Sequence, residues 1–170
     1  MTITDHETPT PPATPRFPEE LVASTAFLLK KLGMATKEQA LEAYAQSGLN
    51  PYHHAILVLL DEGSRDTQAA IADALGFDRG QLVGLLDELE EQGLVERRRD
   101  PNDRRRHLVR MTPDGKRALG RLRTVARTLE QELLEPLDES DRAQLHALLL
   151  RLAEHHLAHC ARVAAATERR

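Results

Sequence analysis

Apolar positions follow a helical period over most of this chain and an alternating one in a single short stretch. From Phe17, the residues Leu21, Val22, Phe27 and Leu28, and later Ala40, Leu41 and Tyr44, recur at spacings that suit one or two amphipathic helices, with a break expected near Gly33. The segment LNPYHHAILVLLDEG marks both ends of a short helix. Asn50 is its N-cap, Pro51 its first residue, and Gly63 its stop, with Tyr52, Ala55, Ile56, Leu59 and Leu60 on the apolar stripe. Two helices then lie about three residues apart. The first carries Ala69, Ala70, Ile71, Ala74 and Leu75, and Gly76 can take the left-handed conformation that turns the chain sharply. Asp78 caps the second, Gln81 stands in capping-box position, Leu82, Leu85, Leu86 and Leu89 form the buried face, and Gly93 ends it. This pair reads as a helix-turn-helix with the second helix exposed along one side.

After Gly93 the period changes. Leu94 to Arg98 alternates like a strand, Asp100-Pro101-Asn102-Asp103 supplies turn formers, and His107 to Met111 fits a returning strand, so that a basic β-hairpin follows the helices as a wing. Thr112 and Pro113 restart a helix with Leu119, Leu122, Val125, Leu129 and Leu133 on one stripe, and Pro136 interrupts it. From about Asp138 a last helix presents Leu145, Leu148, Leu149, Leu152, His156 and Val163 along one side. Its intrachain partners would have to come from the helices at the other end of the chain, and a dimer interface would supply the rest. Residues 1-16, rich in proline and threonine, lack any such period and are expected to be a disordered tail.

Charge changes this picture at one place. The 170 residues carry a formal net charge of −4, yet Arg97 to Arg110 holds seven arginines against two aspartates. An arginine cluster is ordinarily a solvated surface, but beside an exposed helix it has a specific use, because a narrow minor groove attracts guanidinium groups. Arg98, Arg104, Arg105 and Arg106 are therefore candidate DNA contacts. Asp103, two residues before Arg105 in a turn, can hold that arginine by a bidentate pair. Arg79 opens the second helix of the pair with no core role, which suits a base or phosphate contact. Gln81 could read adenine or reach back to the Asp78 amide with equal reason. Thr67 and Gln68 begin the preceding helix, where a hydroxyl and exposed amides suit a phosphate.

Other chemistry has weaker support. His155 with His159, or His156 with Cys160, could give two zinc ligands from one helical face, but no third or fourth ligand has an obvious spacing, and no metal or cofactor is expected. A single cysteine excludes an intramolecular disulfide. No glycine-rich phosphate loop or nucleophile elbow is present, so the chain is not expected to be an enzyme. Aromatic residues make up 3% of the chain, too few for a single-strand stacking platform. With no apolar run near the roughly 20 residues of a membrane span and no leader-like start, a cytoplasmic location without membrane partners is expected.

The segment DALGFDRGQLVGLLDELEEQGLVERRRDPNDRRRHLVRMTPDGKRAL resembles the winged helix-turn-helix of the MarR family of bacterial transcription regulators. The resemblance rests on Gly93-Leu94-Val95-Glu96-Arg97, on Asp100, Asp103 and Arg105, and on Met111-Thr112-Pro113-Asp114-Gly115, with Met111 where leucine is usual. It covers residues 49-120 strongly. It implies the orienting role for Asp103 and the groove contact for Arg105. It also implies a small aromatic effector in a cleft between dimerisation helices and winged domain, with His54 lining the pocket. The acidic second half of the recognition helix, Asp87, Glu88, Glu90 and Glu91, leaves only its first half to approach phosphate.

The expected architecture is mainly α: a winged helix-turn-helix with a small β-hairpin wing at residues 49-112, flanked by dimerisation helices at 17-46 and 113-166. The expected function is a homodimeric, sequence-specific regulator of transcription, a repressor on a pseudo-palindromic double-stranded DNA operator, released by the effector. The competing readings are a winged-helix protein-interaction module and a metal-responsive regulator using His155, His156, His159 and Cys160.

Overall fold

The computed structural model describes residues 16–63, 66–100 and 107–157. The described residues fall into two compact units, divided between Ala35 and Thr36. In the first, a single helical turn, α1 (Glu19–Val22), is followed by α2 (Thr25–Ala45), which runs on into the second unit. Phe17 packs edge-on against Phe27 with ring centroids 5.2 Å apart, and the Lys31 ammonium lies 5.0 Å from the Phe17 ring centre. The expected break near Gly33 is absent. One glycine costs a helix about 1 kcal/mol, and the strong helix formers on both sides of Gly33 outweigh that. The interruption falls instead at Ala23–Ser24, where the Ser24 hydroxyl accepts the Phe27 amide (3.3 Å) and starts α2.

The second unit is built around α3 (Pro51–Asp61), α4 (Gln68–Leu75), α5 (Arg79–Glu91), β1 (Val95–Arg99), β2 (His107–Met111) and α6 (Pro113–Leu133), followed by α7 (Glu139–His156). Asn50 caps α3 by accepting the Tyr52 and His53 amides at 2.9 and 3.0 Å, and the His53 ring returns the favour by accepting the Asn50 amide at Nδ1. The buried side of α3 is rotated relative to the expected stripe: His53 and Leu57 are buried with Ile56 and Leu59, while Tyr52, Ala55 and Leu60 are half-buried. On α4 the buried pair is Ile71 and Ala72, and Ala69 is exposed.

The buried face of α5 is Leu82, Leu85, Leu86 and Leu89, as its period predicts. These side chains meet Ile56, Leu57, Ile71, Val109, Leu119 and Leu122 in one core. β1 and β2 form a two-stranded antiparallel sheet in which Arg97 faces Val109. Thr112 and Pro113 begin α6 as expected, but its stripe leaves the core before its end: Val125 and Leu129 are half-buried and Leu133 is exposed. No residue of α7 is buried. None of the described helices is long and apolar enough to cross a membrane.

Candidate nucleic-acid interface

The two helices of the motif meet through a left-handed residue. Gly76 has φ of 67°, a conformation that a side chain would strain, and it lets Asp78 cap α5 only a few residues after α4 ends. The Asp78 carboxylate accepts the Gln81 amide at 2.8 Å. Only this half of the expected capping box forms; the exposed Gln81 side chain makes no return bond to Asp78 and is left to the solvent face. Gly80 lies against its own cap, since a Cβ there would stand 3.3 Å from Asp78 Oδ1, whereas Gly84 opens onto free space.

Thr67 caps α4 by accepting the Ala70 amide at 3.2 Å, which leaves its hydroxyl hydrogen available to an anion. It also bridges to Leu108, so that the start of α4 lies along β2. Thr67, Gln68, Arg79, Val83 and His107 all line one groove of about 550 Å³ that runs between α4, α5 and the hairpin. Three residues chosen from the sequence for DNA contact, Thr67, Gln68 and Arg79, thus share one surface. Arg98 projects from β1, 65% exposed, with its guanidinium 2.9 Å from Glu96. Asp103, Arg104, Arg105 and Arg106 lie outside the described residues.

The acidic half of α5 is not a plain solvated face. Arg97, one of the seven arginines of the basic stretch, turns its side chain to Glu90 and Asp87: Nε donates to Glu90 Oε2 at 2.8 Å, and a terminal nitrogen lies 2.6 Å from Asp87. The Arg97 backbone amide donates to Glu90 Oε1 at 3.0 Å. These bonds hold the Glu90 carboxyl below its ordinary range and raise the guanidinium further. Glu88 faces the buried His53, with Oε2 3.0 Å from Nε2. Because His53 Nδ1 accepts the Asn50 amide, the neutral ring carries its proton on Nε2, toward Glu88. Burial pushes the His53 pKa down, and Glu88 opposes that only in part. Sequence reasoning missed both links. The only signal for either was the position of His53, third after an N-cap, where a capping-box acceptor belongs.

His54 lines a mostly apolar cavity of about 480 Å³ with Val58, Gly120, Arg123, Ala126 and Arg127, between α3 and α6. Its Nδ1 lies 2.7 Å from the Tyr44 hydroxyl, while Nε2 is buried with no hydrogen-bond partner among the described residues. Burial, and then the nearby Arg123 charge, lower its pKa. Arg123 is itself bonded to Asp61 at 2.8 Å. At the end of α7 the rings of His155 and His156 pack edge-on, and His159 and Cys160 lie outside the described residues. Among the described residues no three His, Cys, Asp or Glu side chains are placed to hold a metal ion.

A model of the MarR family matches residues 47–106. The chain is 33% identical to the transcriptional repressor CouR bound to a 23-mer DNA duplex, over 82% of this chain and 99% of that one, with a TM-score of 0.74. Against CouR from Rhodococcus jostii RHA1 bound to p-coumaroyl-CoA the identity is 31%, over 80% of this chain and 96% of that one, with a TM-score of 0.67. A transcriptional regulatory protein for the hcr operon of Thauera aromatica is 34% identical over 62% of this chain, a match that spans 63% of that protein's length. These relatives are regulators, not enzymes, and the chain belongs to the MarR family of transcriptional regulators.

Proposed function

We propose that this protein is a repressor that binds a pseudo-palindromic double-stranded DNA operator as a homodimer and is released by a small aromatic effector. The observation that carries the DNA reading is the groove that gathers Thr67, Gln68 and Arg79 beside the exposed start of α5. The α4 amides and the Thr67 hydroxyl suit a backbone phosphate, which fixes register. Arg79, at the entry of α5, is placed to read a guanine edge in the major groove. The wing arginines Arg98, Arg104, Arg105 and Arg106 take the adjacent minor groove, with Asp103 orienting Arg105. Gln81 adds an amide that can pair with adenine.

The effector reading is supported by the cavity at His54, whose apolar wall of Val58 and Ala126 suits an aromatic ring and whose Arg123 and Arg127 suit an acid or its thioester. CouR, bound to p-coumaroyl-CoA, supports the same ligand class.

The test is selection of duplexes from a random pool by the full chain, followed by a footprint on the enriched sequence. The expected site has two related halves with centres about one helical turn, roughly 10 bp, apart. Enrichment of a single asymmetric half-site overturns the dimeric reading, and enrichment of nothing overturns DNA binding.

A further inference from the structure

The hairpin is fastened to the helix-turn-helix at one rung, from both sides. In an antiparallel pair, opposed residues alternate between exchanging hydrogen bonds and pointing their amides outward. Arg97 and Val109 are opposed, and both point outward: the Val109 amide donates to the Asp66 carbonyl at 2.6 Å, just before α4, and the Arg97 amide donates to Glu90 of α5. One edge is therefore held by a backbone carbonyl and the other by a carboxylate. That carboxylate and Asp87 also take up the Arg97 guanidinium, whose side chain is 23% exposed.

We propose that Arg97 is a positioning residue for DNA recognition: with Glu90 and Asp87 it locks the wing to the second half of the recognition helix at one fixed angle, and it does not itself contact DNA. The inference rests on the DNA-binding reading and assigns a task to the acidic end of α5 that the reading leaves unexplained. Two carboxylates neutralise the guanidinium and engage Nε and one of its two terminal nitrogens, so its charge is already paired before a phosphate arrives. The wing tip begins a few residues past this rung, each about 3.3 Å of strand, so angular play at Arg97 grows into displacement of the tip arginines. Loose arginines still find phosphates on any duplex, but they no longer meet the minor groove in register with Arg79. The lock therefore serves specificity more than gross affinity.

Coulomb's law and the lock predict opposite signs for one substitution. Glu90→Gln removes an anion from a DNA-binding face, which by charge alone tightens binding to every duplex. The experiment is fluorescence anisotropy of the full chain and of Glu90→Gln, Arg97→Gln, Arg97→Lys and the Glu90→Gln/Arg97→Gln double variant, on the selected duplex and a scrambled one, at several salt concentrations. The expected result is that Glu90→Gln weakens the selected duplex by roughly three- to thirtyfold, inside the coupling range of residues in one network, while the scrambled duplex is bound as well or better. Arg97→Gln should do the same with an unchanged salt slope. The double variant should be no worse than Arg97→Gln, and Arg97→Lys, which keeps the charge but not the fork, should fall between.

Tighter binding of both duplexes by Glu90→Gln overturns the lock. So does a salt slope that falls by about one per subunit in Arg97→Gln, the mark of a lost phosphate contact. Arg97→Lys and Glu90→Gln are the mild members of the set; if Arg97→Gln does not fold, these two decide, and selected-duplex binding as tight as the parent's in both overturns the proposal. A wild-type chain that enriches no duplex sinks the DNA-binding reading and the lock with it. A wild-type chain that does, paired with a neutral Glu90→Gln, sinks the lock alone.

Discussion

Gly115 packs so closely on Leu94 that a Cβ on it would overlap the Leu94 carbonyl oxygen, and it would also stand 2.7 Å from Met111 Cγ. That carbonyl cannot retreat, because it accepts the Thr112 amide at 3.0 Å, while the Thr112 hydroxyl donates to the Gly93 carbonyl at 2.7 Å and accepts the Gly115 amide at 3.0 Å. The end of α5 and the start of α6 are thus pinned together at the base of the wing. Gly115→Ala gains about 1 kcal/mol of helix propensity and loses more to overlap with rigid backbone, for which overpacking costs are typically about 1 to 3 kcal/mol. The expected outcome is a net loss of stability, read as a lower urea midpoint with an unchanged slope. A variant as stable as the parent would show that the junction can slide.

His53 supplies a pH dependence whose sign follows from its surroundings. The ring is 1% exposed, its Nδ1 is occupied by the Asn50 amide, and burial lowers its pKa from the ordinary 6.5. A depressed folded pKa means that the unfolded chain binds the proton more readily. The stabilising contribution is therefore complete above about pH 6.5 and is lost as pH falls toward the folded value. His54, lowered by burial and Arg123, acts in the same direction. Each histidine adds a slope of at most about 1.4 kcal/mol per pH unit. Unfolding free energy measured against pH should rise through this window, and His53→Gln should flatten part of the rise. An undiminished slope in that variant would place the titrating group elsewhere.

What the sequence made legible divides by the range of the interaction. The Asp78 cap, the four leucines of α5, the bounds of β2 and the Thr112–Pro113 start are each set by neighbours within a few residues, so periodicity and capping rules find them, while β1 begins and ends one residue later than its alternation predicts. Gly33 misled because a local penalty was weighed without the helix formers around it. Arg97 and Glu90 were hidden for a different reason. An arginine in a basic run looks the same whether it faces solvent or a carboxylate, and the choice is made by which rung of the hairpin it occupies. His53 was passed over as one of two adjacent histidines, although its place after Asn50 distinguished it from His54.

The α7 surface leads to a prediction about assembly. Leu148, Leu149, Leu150 and Leu152 are 40 to 48% exposed, on a helix with no buried residue. In the first unit Phe17, Leu21, Val22 and Leu32 are exposed as well. Apolar exposure on this scale marks an interaction surface, and a second copy of the chain is the proposed occupant. Sedimentation at micromolar concentration should give a dimer. Leu148→Glu with Leu152→Glu, four apart on one helical face, should shift it to monomer and abolish the two-half-site footprint. A wild-type monomer would remove the basis for a pseudo-palindromic operator.

The proposed roles of Asp103, Arg105 and Arg79 separate ordering, charge and reading. If Arg105 enters the minor groove, Arg105→Ala should weaken binding to all duplexes and lower the salt slope by about one per subunit, with little change in sequence preference. Arg79→Ala should instead relax discrimination at one base position by roughly 1 to 3 kcal/mol, the worth of a bidentate contact to guanine. Asp103→Ala is the sharper case, because it removes an anion from a DNA-facing loop. Charge alone makes the variant bind more tightly. If Asp103 orients Arg105, its loss leaves a long side chain to be ordered on binding, at an entropic cost of up to about 2 kcal/mol, and affinity falls. Anisotropy titrations of the three variants on the selected and scrambled duplexes distinguish the cases, and tighter binding by Asp103→Ala would leave the wing as a plain cationic surface with no oriented arginine.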